Sequence, residues 1–151
     1  NAMTEDTIKI RLMEDNDFDA VVKIDEKIMN TSRLEYYQLK FERLFKSHDY
    51  LPTSFVAEDR GAVVGFLMGE LYMGEFGIYQ EVASLDTIGV DPSYQHAGIG
   101  KKLMHEFIDH LRQIGVHKIN TLVNWNDSKL IKFFSANQFS PSKTINLERS
   151  I

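Results

Sequence analysis

The stretch Leu85–Leu103 constrains this chain more than any other part of it. An apolar-rich run ends at Val90 and is stopped by Asp91-Pro92. A polar loop, Ser93–Ala97, follows. Apolar residues then recur at helical spacing from a start marked by Gly98 and Gly100. A strand that feeds a glycine-started helix through a short loop makes an anion site. The first N–H groups of a helix have no internal partner, and the helix dipole adds partial positive charge there. Two glycines let a phosphate approach the backbone. Lys101 and Lys102 stand in a first turn where the dipole alone disfavours cations, which points to a bound polyanion. Two common phosphate loops are excluded. A Walker loop needs glycine at 95 and Ser or Thr at 102, where Gln and Lys stand; a Rossmann loop needs glycine at 103, where Leu stands. The residues of this loop alone leave open a plain glycine-started helix.

Around this segment the pattern predicts an α/β fold. Thr7–Met13 alternates as a first strand, and Asp15 or Asn16 can cap a helix carrying Phe18, Val21, Val22 and Ile28. A second helix is expected from about Ser32 to Lys46, with Leu34, Tyr37, Phe41, Leu44 and Phe45 as its stripe. Ser54–Glu58 and Val63–Tyr72 read as a hairpin about Asp59-Arg60-Gly61. Gly65 and Gly69 permit close backbone approach within it. Glu81–Val90 is a further strand, and Gly98–Ile114 a helix stopped by Gly115. Lys118–Asn124 reads as a strand, Asp127 or Ser128 caps a last helix to about Asn137, and Lys143–Arg149 reads as a final strand. Hairpin-linked strands followed by a strand–helix–strand unit imply a mixed sheet.

The 151 residues fit one domain, expected over 3–151, with Asn1 and Ala2 read as a cloning remnant before Met3. No cysteine is present, which excludes disulfides and cysteine nucleophiles and is compatible with a cytoplasmic setting. No apolar run approaches the about 18 residues of a membrane span. A net charge of −5 argues against nucleic acid as partner and fits a cationic one, although mild acidity that keeps the chain soluble is the favoured reading. No two of the five histidines are spaced i, i+4 on one helix, so no metal is expected. Tyr36, Tyr37 and Phe41 are either core or an acceptor-site wall, with packing favoured for the last two. Arg33 and Glu35 read as solvated helix charges.

Ile88-Gly89-Val90-Asp91-Pro92-Ser93-Tyr94-Gln95 followed by His96-Ala97-Gly98-Ile99-Gly100 resembles the central motif of the GNAT superfamily of N-acetyltransferases, [Arg/Gln]-x-x-Gly-x-[Gly/Ala]. Asn124-Trp125-Asn126-Asp127, the pair Phe133-Phe134 and Asn137-Gln138-Phe139 extend the similarity over about Ser54–Phe139. The resemblance implies the acyl-CoA N-acyltransferase fold, a mostly antiparallel central sheet splayed into a V with helices on both faces. It implies acetyl-CoA as co-substrate, with direct transfer of the acetyl group to a primary amine of a small molecule or protein. Backbone groups of Ile88, Gly89 and Val90 would pair with pantetheine. The amides of Gln95, His96, Ala97, Gly98, Ile99, Gly100 and Lys101 would hold the pyrophosphate, and Asn126 would contact the pantetheine or the far end of the cofactor. The oligomeric state stays open, with a homodimer among the alternatives.

Such a transfer needs a base to take a proton from the ammonium. Asp86 and Glu81 are both candidates. Asp86 precedes Ile88 by two residues, so in a regular strand the two share a face. Many family members have a tyrosine acid where Phe134 stands, and a ring without a hydroxyl cannot donate a proton. Tyr72, Tyr79, Tyr94 or a water could take that part. The missing tyrosine also supports an alternative, a non-catalytic acyl-CoA-binding sensor or regulatory domain.

Overall fold

The computed structural model describes residues 7–46, 52–73 and 81–151, without the side chains of Tyr72, Met73 and Glu81. It divides into two units, 1–121 and 122–151. In the first, strands β1 (Ile8–Leu12), β2 (Phe55–Asp59), β3 (Ala62–Met73), β4 (Glu81–Val90) and β5 (Lys118–Asn120) form a sheet in that order. The pairs are antiparallel except β4 with β5, which is parallel. The crossover between them carries helix α3 (Ile99–Gln113). Helices α1 (Phe18–Met29) and α2 (Leu34–Phe45) lie between β1 and β2 in the chain. The expected mixed, mostly antiparallel sheet is therefore present.

Alternation along β3 assigns the two faces. Phe66 and Met68 are buried in one cluster with Val21 and Ile24 of α1 and with Tyr37, Phe41 and Leu44 of α2. The opposite face packs on α3. A Cβ on Gly65 would stand 3.1 Å from Ile99, and one on Gly69 2.5 Å from Phe107. These two glycines are the close approach that lets α3 lie flat on the sheet. The stripe Ile99, Leu103, Met104, Phe107 and Leu111 is buried along α3, as its spacing predicts. Gly115 ends the helix at φ +85°, while the Val116 N–H donates to the Leu111 carbonyl.

Several expectations are corrected. The N-cap position of α1 is Asp17 rather than Asp15 or Asn16, and its side chain holds the turn before the helix instead of capping it. Asp17 accepts from the Glu14 N–H at 2.8 Å and from both terminal nitrogens of Arg11. The hairpin turn takes positive φ at both Arg60 and Gly61, the combination that suits the twist of two antiparallel strands. β5 ends at Asn120 rather than Asn124, and residues 143–149 form no strand, because a strand exists only where a neighbour completes its ladder. In the second unit, α4 (Ser128–Ala136) is capped by Asp127, which accepts from the Leu130 N–H at 3.1 Å.

Candidate functional site

β4 runs along the middle of the site, and its two edges differ. On one side it pairs with β3 from Glu81 through Val90. On the other, β5 pairs only with Val82, Ala83 and Ser84. The next carbonyl, that of Leu85, accepts from the Thr121 hydroxyl at 2.8 Å. Beyond it β4 has no ladder partner on this edge among the described residues. The sheet opens there, at the level where the sequence places the pantetheine arm.

A bulge decides which backbone groups face the opening. Met68 pairs with Thr87 and Gly69 with Leu85, so Asp86 is an extra residue in β4. The Asp91 N–H donates to the Val64 carbonyl on the β3 side at 2.8 Å. Alternation then turns the backbone groups of Val90 and Ile88 outward and those of Gly89 toward β3. Of the three residues expected to offer backbone groups, Ile88 and Val90 present them. Gly89 has a packing reason to be glycine, since a Cβ would stand 2.8 Å from Phe66 and 3.0 Å from Ile28.

The same bulge overturns the expectation that Asp86 and Ile88 share a face. Opposed residues of an antiparallel pair point the same way. Thr87 therefore joins Met68 on the α1–α2 face, and Ile88 joins Leu67 on the α3 face. Asp86 turns to α2. Its Oδ2 accepts from Lys40 Nζ at 2.5 Å and its Oδ1 from the Ser84 hydroxyl at 2.8 Å. Lys40 also lies 3.6 Å from Glu70, which pairs with Arg43 at 2.7 Å. Each oxygen of Asp86 thus accepts one donor, and an acceptor amine would share this carboxylate with Lys40. The side chain of Glu81, the other carboxylate candidate, lies outside the described residues, as do the side chain of Tyr72 and all of Tyr79.

β4 leads into the loop through Asp91, whose carboxylate organises the turn. It accepts from Lys27 at 2.9 Å and from the Ser93 N–H and hydroxyl at 3.0 and 2.8 Å. These donors, Lys27 first, hold its carboxyl down at about 2. Tyr94 donates to Asp59 at 2.7 Å, and this bond raises the phenol above its ordinary range. Its proton is committed to Asp59, which leaves Tyr94 poorly suited to be an acid.

Gln95, His96, Ala97 and Gly98 are exposed, with His96 at φ +73° and Gly98 at φ +76°. Gly98 is the N-cap of α3 and has no side chain to satisfy the first turn. The first helical bond runs from the Lys102 N–H to the Gly98 carbonyl, so the N–H groups of Ile99, Gly100 and Lys101 precede the intrahelical ladder. Ile99 is buried against Gly65 and fixes the helix start to the sheet. A Cβ on Gly98 would meet nothing within 4 Å, so its amide is open to a ligand. Three loosely held N–H groups, a dipole and the exposed Lys101 fit a pyrophosphate.

Arg33, read from the sequence as a solvated charge, instead grips buried Asp25 with two hydrogen bonds of 2.8 and 2.5 Å. Tyr37 donates to the same carboxylate at 2.8 Å. Tyr37 and Phe41 are core, as favoured. Tyr36 reaches Thr87 at 3.1 Å, and a shallow open depression lined by Ser32, Arg33, Leu34, Glu35 and Tyr36 lies beside it.

In the second unit Trp125 and Asn126 are exposed in the turn before α4. Phe134 packs on Phe133 and Phe139, with ring centroids 5.6 and 5.1 Å away. No His, Asp or Glu group able to hold a metal occurs among the described residues, and none of their helices is long and apolar enough to cross a membrane.

A sequence profile of the acetyltransferase (GNAT) family matches residues 18–138. No curated protein matches the chain. Among solved structures, the aminoglycoside N-acetyltransferase AAC(6')-Iy in complex with CoA superposes with a TM-score of 0.78 at 18% identity, covering 95% of this chain and 94% of that one. A transcriptional regulator from Bacillus halodurans C-125 gives 0.77 at 16%, covering 95% and 99%. Ard1 from Thermoplasma volcanium gives 0.74 at 20%, covering 90% and 84%. At these identities the structural likeness speaks for the fold. The profile match, spanning most of the residues that build the opened sheet and its loop, shows that the chain belongs to the GNAT acetyltransferase family.

Proposed function

We propose that this chain uses acetyl-CoA to acetylate a primary amine of a small molecule or protein by direct transfer. The observation that carries the reading is the continuity of open donors along one path. The backbone groups of Ile88 and Val90 on the open edge of β4 lead to the uncapped amides at the start of α3. A thioester arm laid along β4 ends near Ile88, whose N–H is the donor for the carbonyl oxygen as charge builds. The amine attacks the carbonyl carbon, the C–S bond breaks, and the thiolate leaves. The ammonium proton goes to a β4 carboxylate, Asp86 or Glu81, directly or through water. Asn126 supports the cofactor in this reading.

The test is release of free CoA thiol from acetyl-CoA over a panel of small amines and amine-bearing peptides. Release with at least one acceptor is expected, and its loss by about 10²–10⁴-fold in Asp86→Asn or Glu81→Gln identifies the base. Binding of CoA with no release from any acceptor refutes it.

A second reading, an acyl-CoA sensor without turnover, is favoured by Phe134 in place of the family's tyrosine and by the engagement of Asp86 with Lys40 and Ser84. It expects the exposed Trp125 or calorimetry to report binding that is indifferent to Asp86→Asn and Glu81→Gln.

A further inference from the structure

Helix α2 lays one row of side chains along the site. Tyr36, Lys40 and Arg43 stand at i, i+4 and i+7 and so share one side of the helix. Their partners follow on the sheet. The Tyr36 hydroxyl meets that of Thr87 at 3.1 Å, Lys40 Nζ donates to Asp86 Oδ2 at 2.5 Å, and Arg43 Nε lies 2.7 Å from Glu70. The middle member is a primary amine. It meets the extra residue of β4, and Glu70 lies 3.6 Å from the same nitrogen. Its side chain is 13% exposed, against 58% for that of Lys27. An amine of the chain itself is thus held on one of the two carboxylates assigned above to take an acceptor proton.

We propose that Lys40 is an acceptor of the acetyl group, so that the chain acetylates itself at this position. The inference rests on the transfer proposed above, with Asp86 as the base. Ile88 follows Asp86 by two residues, so no more than about 7 Å of strand separates the carboxylate from the backbone donor to the thioester oxygen. Lysine carries its nitrogen on a flexible four-carbon stem. Rotation about the outer bonds of Lys40 takes the nitrogen toward Ile88 while α2, anchored by Tyr37, Phe41 and Leu44, stays in place. The ammonium gives one proton to Asp86, and the freed lone pair forms an N–C bond to the carbonyl carbon. As the C–S bond breaks, the adduct sheds a second N–H proton, which the leaving thiolate takes up through water. The product is an uncharged acetamide, and the proton on Asp86 passes to solvent. A covered, ion-paired ammonium is a poor target for acetyl-CoA arriving from water. Modification here marks delivery from the bound thioester, where proximity supplies the rate.

The full chain is incubated with acetyl-CoA and no other amine, and its intact mass and peptide map are followed in time. One acetyl group is expected at Lys40, formed at least about 10-fold faster than at Lys27, with a rate constant independent of chain concentration. Lys40→Arg keeps a cation for Asp86 but offers no amine to acylate; it is expected to lose the rapid mass gain with an unchanged circular dichroism spectrum. Asp86→Asn is expected to slow labelling of Lys40 by about 10²-fold or more. The proposal is overturned by an unmodified Lys40, by labelling no faster than that of Lys27, by a rapid mass gain that survives Lys40→Arg, by a rate that rises with chain concentration, or by a rate unchanged in Asp86→Asn. The panel of external amines separates this inference from the reading beneath it. Thiol release to an external amine with Lys40 unmodified ends self-acetylation alone, whereas CoA binding with neither release nor modification ends both.

Discussion

Replacing Asp25 with alanine tests whether the join between α1 and α2 is held by charge or by packing. Asp25 is 3% exposed and Tyr37 fully buried. The carboxylate accepts two hydrogen bonds from Arg33 and one from Tyr37. Truncation leaves the Tyr37 hydroxyl without an acceptor in a dry site, which costs about 1–3 kcal/mol. It also unpairs the Arg33 guanidinium, and breaking a buried pair from one side costs about 3–5 kcal/mol. Arg33 is 36% exposed on its side chain and can turn to water, so the lower ends of both ranges apply, about 4 kcal/mol in total. For a chain of this size that is a fall in Tm of roughly 8–16 °C. The assay is urea and thermal unfolding of Asp25→Ala beside Tyr37→Phe, which removes the hydroxyl but keeps the ring. The double variant should cost less than the sum of the two, because both remove the same bond. Arg33 also stacks over Tyr36, with the guanidinium carbon 5.4 Å from its ring centre, and Tyr36 reaches Thr87 on β4. Weaker acceptor binding is therefore expected alongside lost stability. A cost within about 0.5 kcal/mol for Asp25→Ala would show that apolar contacts alone hold the join, the range ordinary for surface substitutions.

Gly69→Ala puts a methyl group 2.5 Å from Phe107 and 3.0 Å from the Thr53 carbonyl, and should destabilise by about 1–3 kcal/mol in urea unfolding, the usual cost of overpacking. Gly98→Ala meets no neighbour but must hold φ +76°, so a penalty of about 1–2 kcal/mol is expected, with weakened CoA binding by calorimetry. The Asp91 carboxyl is depressed from 3.8 to about 2, first by Lys27. A depressed acid adds stability that is complete above its unfolded value and lost as pH falls through its folded one. The contribution of Asp91 should therefore disappear between pH about 4 and about 2, and Lys27→Met should flatten that limb in an acid titration followed by circular dichroism. An unchanged limb would mean that the ion pair adds nothing.

What could be read from residues alone was whatever depends on local period or local φ. The α3 stripe, the stop at Gly115 and the glycine start at Gly98 are short-range facts, and all three are present. Gly65 and Gly69 were legible as places of close approach, although the helix that approaches lies some thirty residues on. What could not be read depends on a partner chosen by the fold. Lys40 and Asp86 are far apart in sequence and meet only because α2 packs on this face of the sheet. Arg33 looked like a surface cation because nothing nearby in sequence shows that Asp25, eight residues earlier, is buried. The pattern at 143–149 is a real strand pattern; alternation states what a segment can do, and a ladder needs a neighbour that alternation does not supply.

The bulge at Asp86 joins these levels. The Leu85 carbonyl faces β5, as its bond to Thr121 shows. Regular alternation from that point would send Thr87 and Gly89 toward the opening and turn Ile88 and Val90 to β3. The extra residue reverses this parity, which the Asp91 bond to Val64 confirms from the other end. One inserted position thus exposes the donors of Ile88 and Val90 along the open edge. It also sends the Asp86 carboxylate to the α1–α2 face with Thr87, where Lys40 meets Asp86 and Tyr36 meets Thr87. The open backbone groups and the carboxylate, which the proposed function assigns to the acyl-CoA arm and the acceptor, are divided between the edge and the face of a single strand. Bulges next to active sites commonly re-aim a side chain in this way. Here the bulge re-aims the main chain as well, and the reversed parity holds to Val90, where β4 ends.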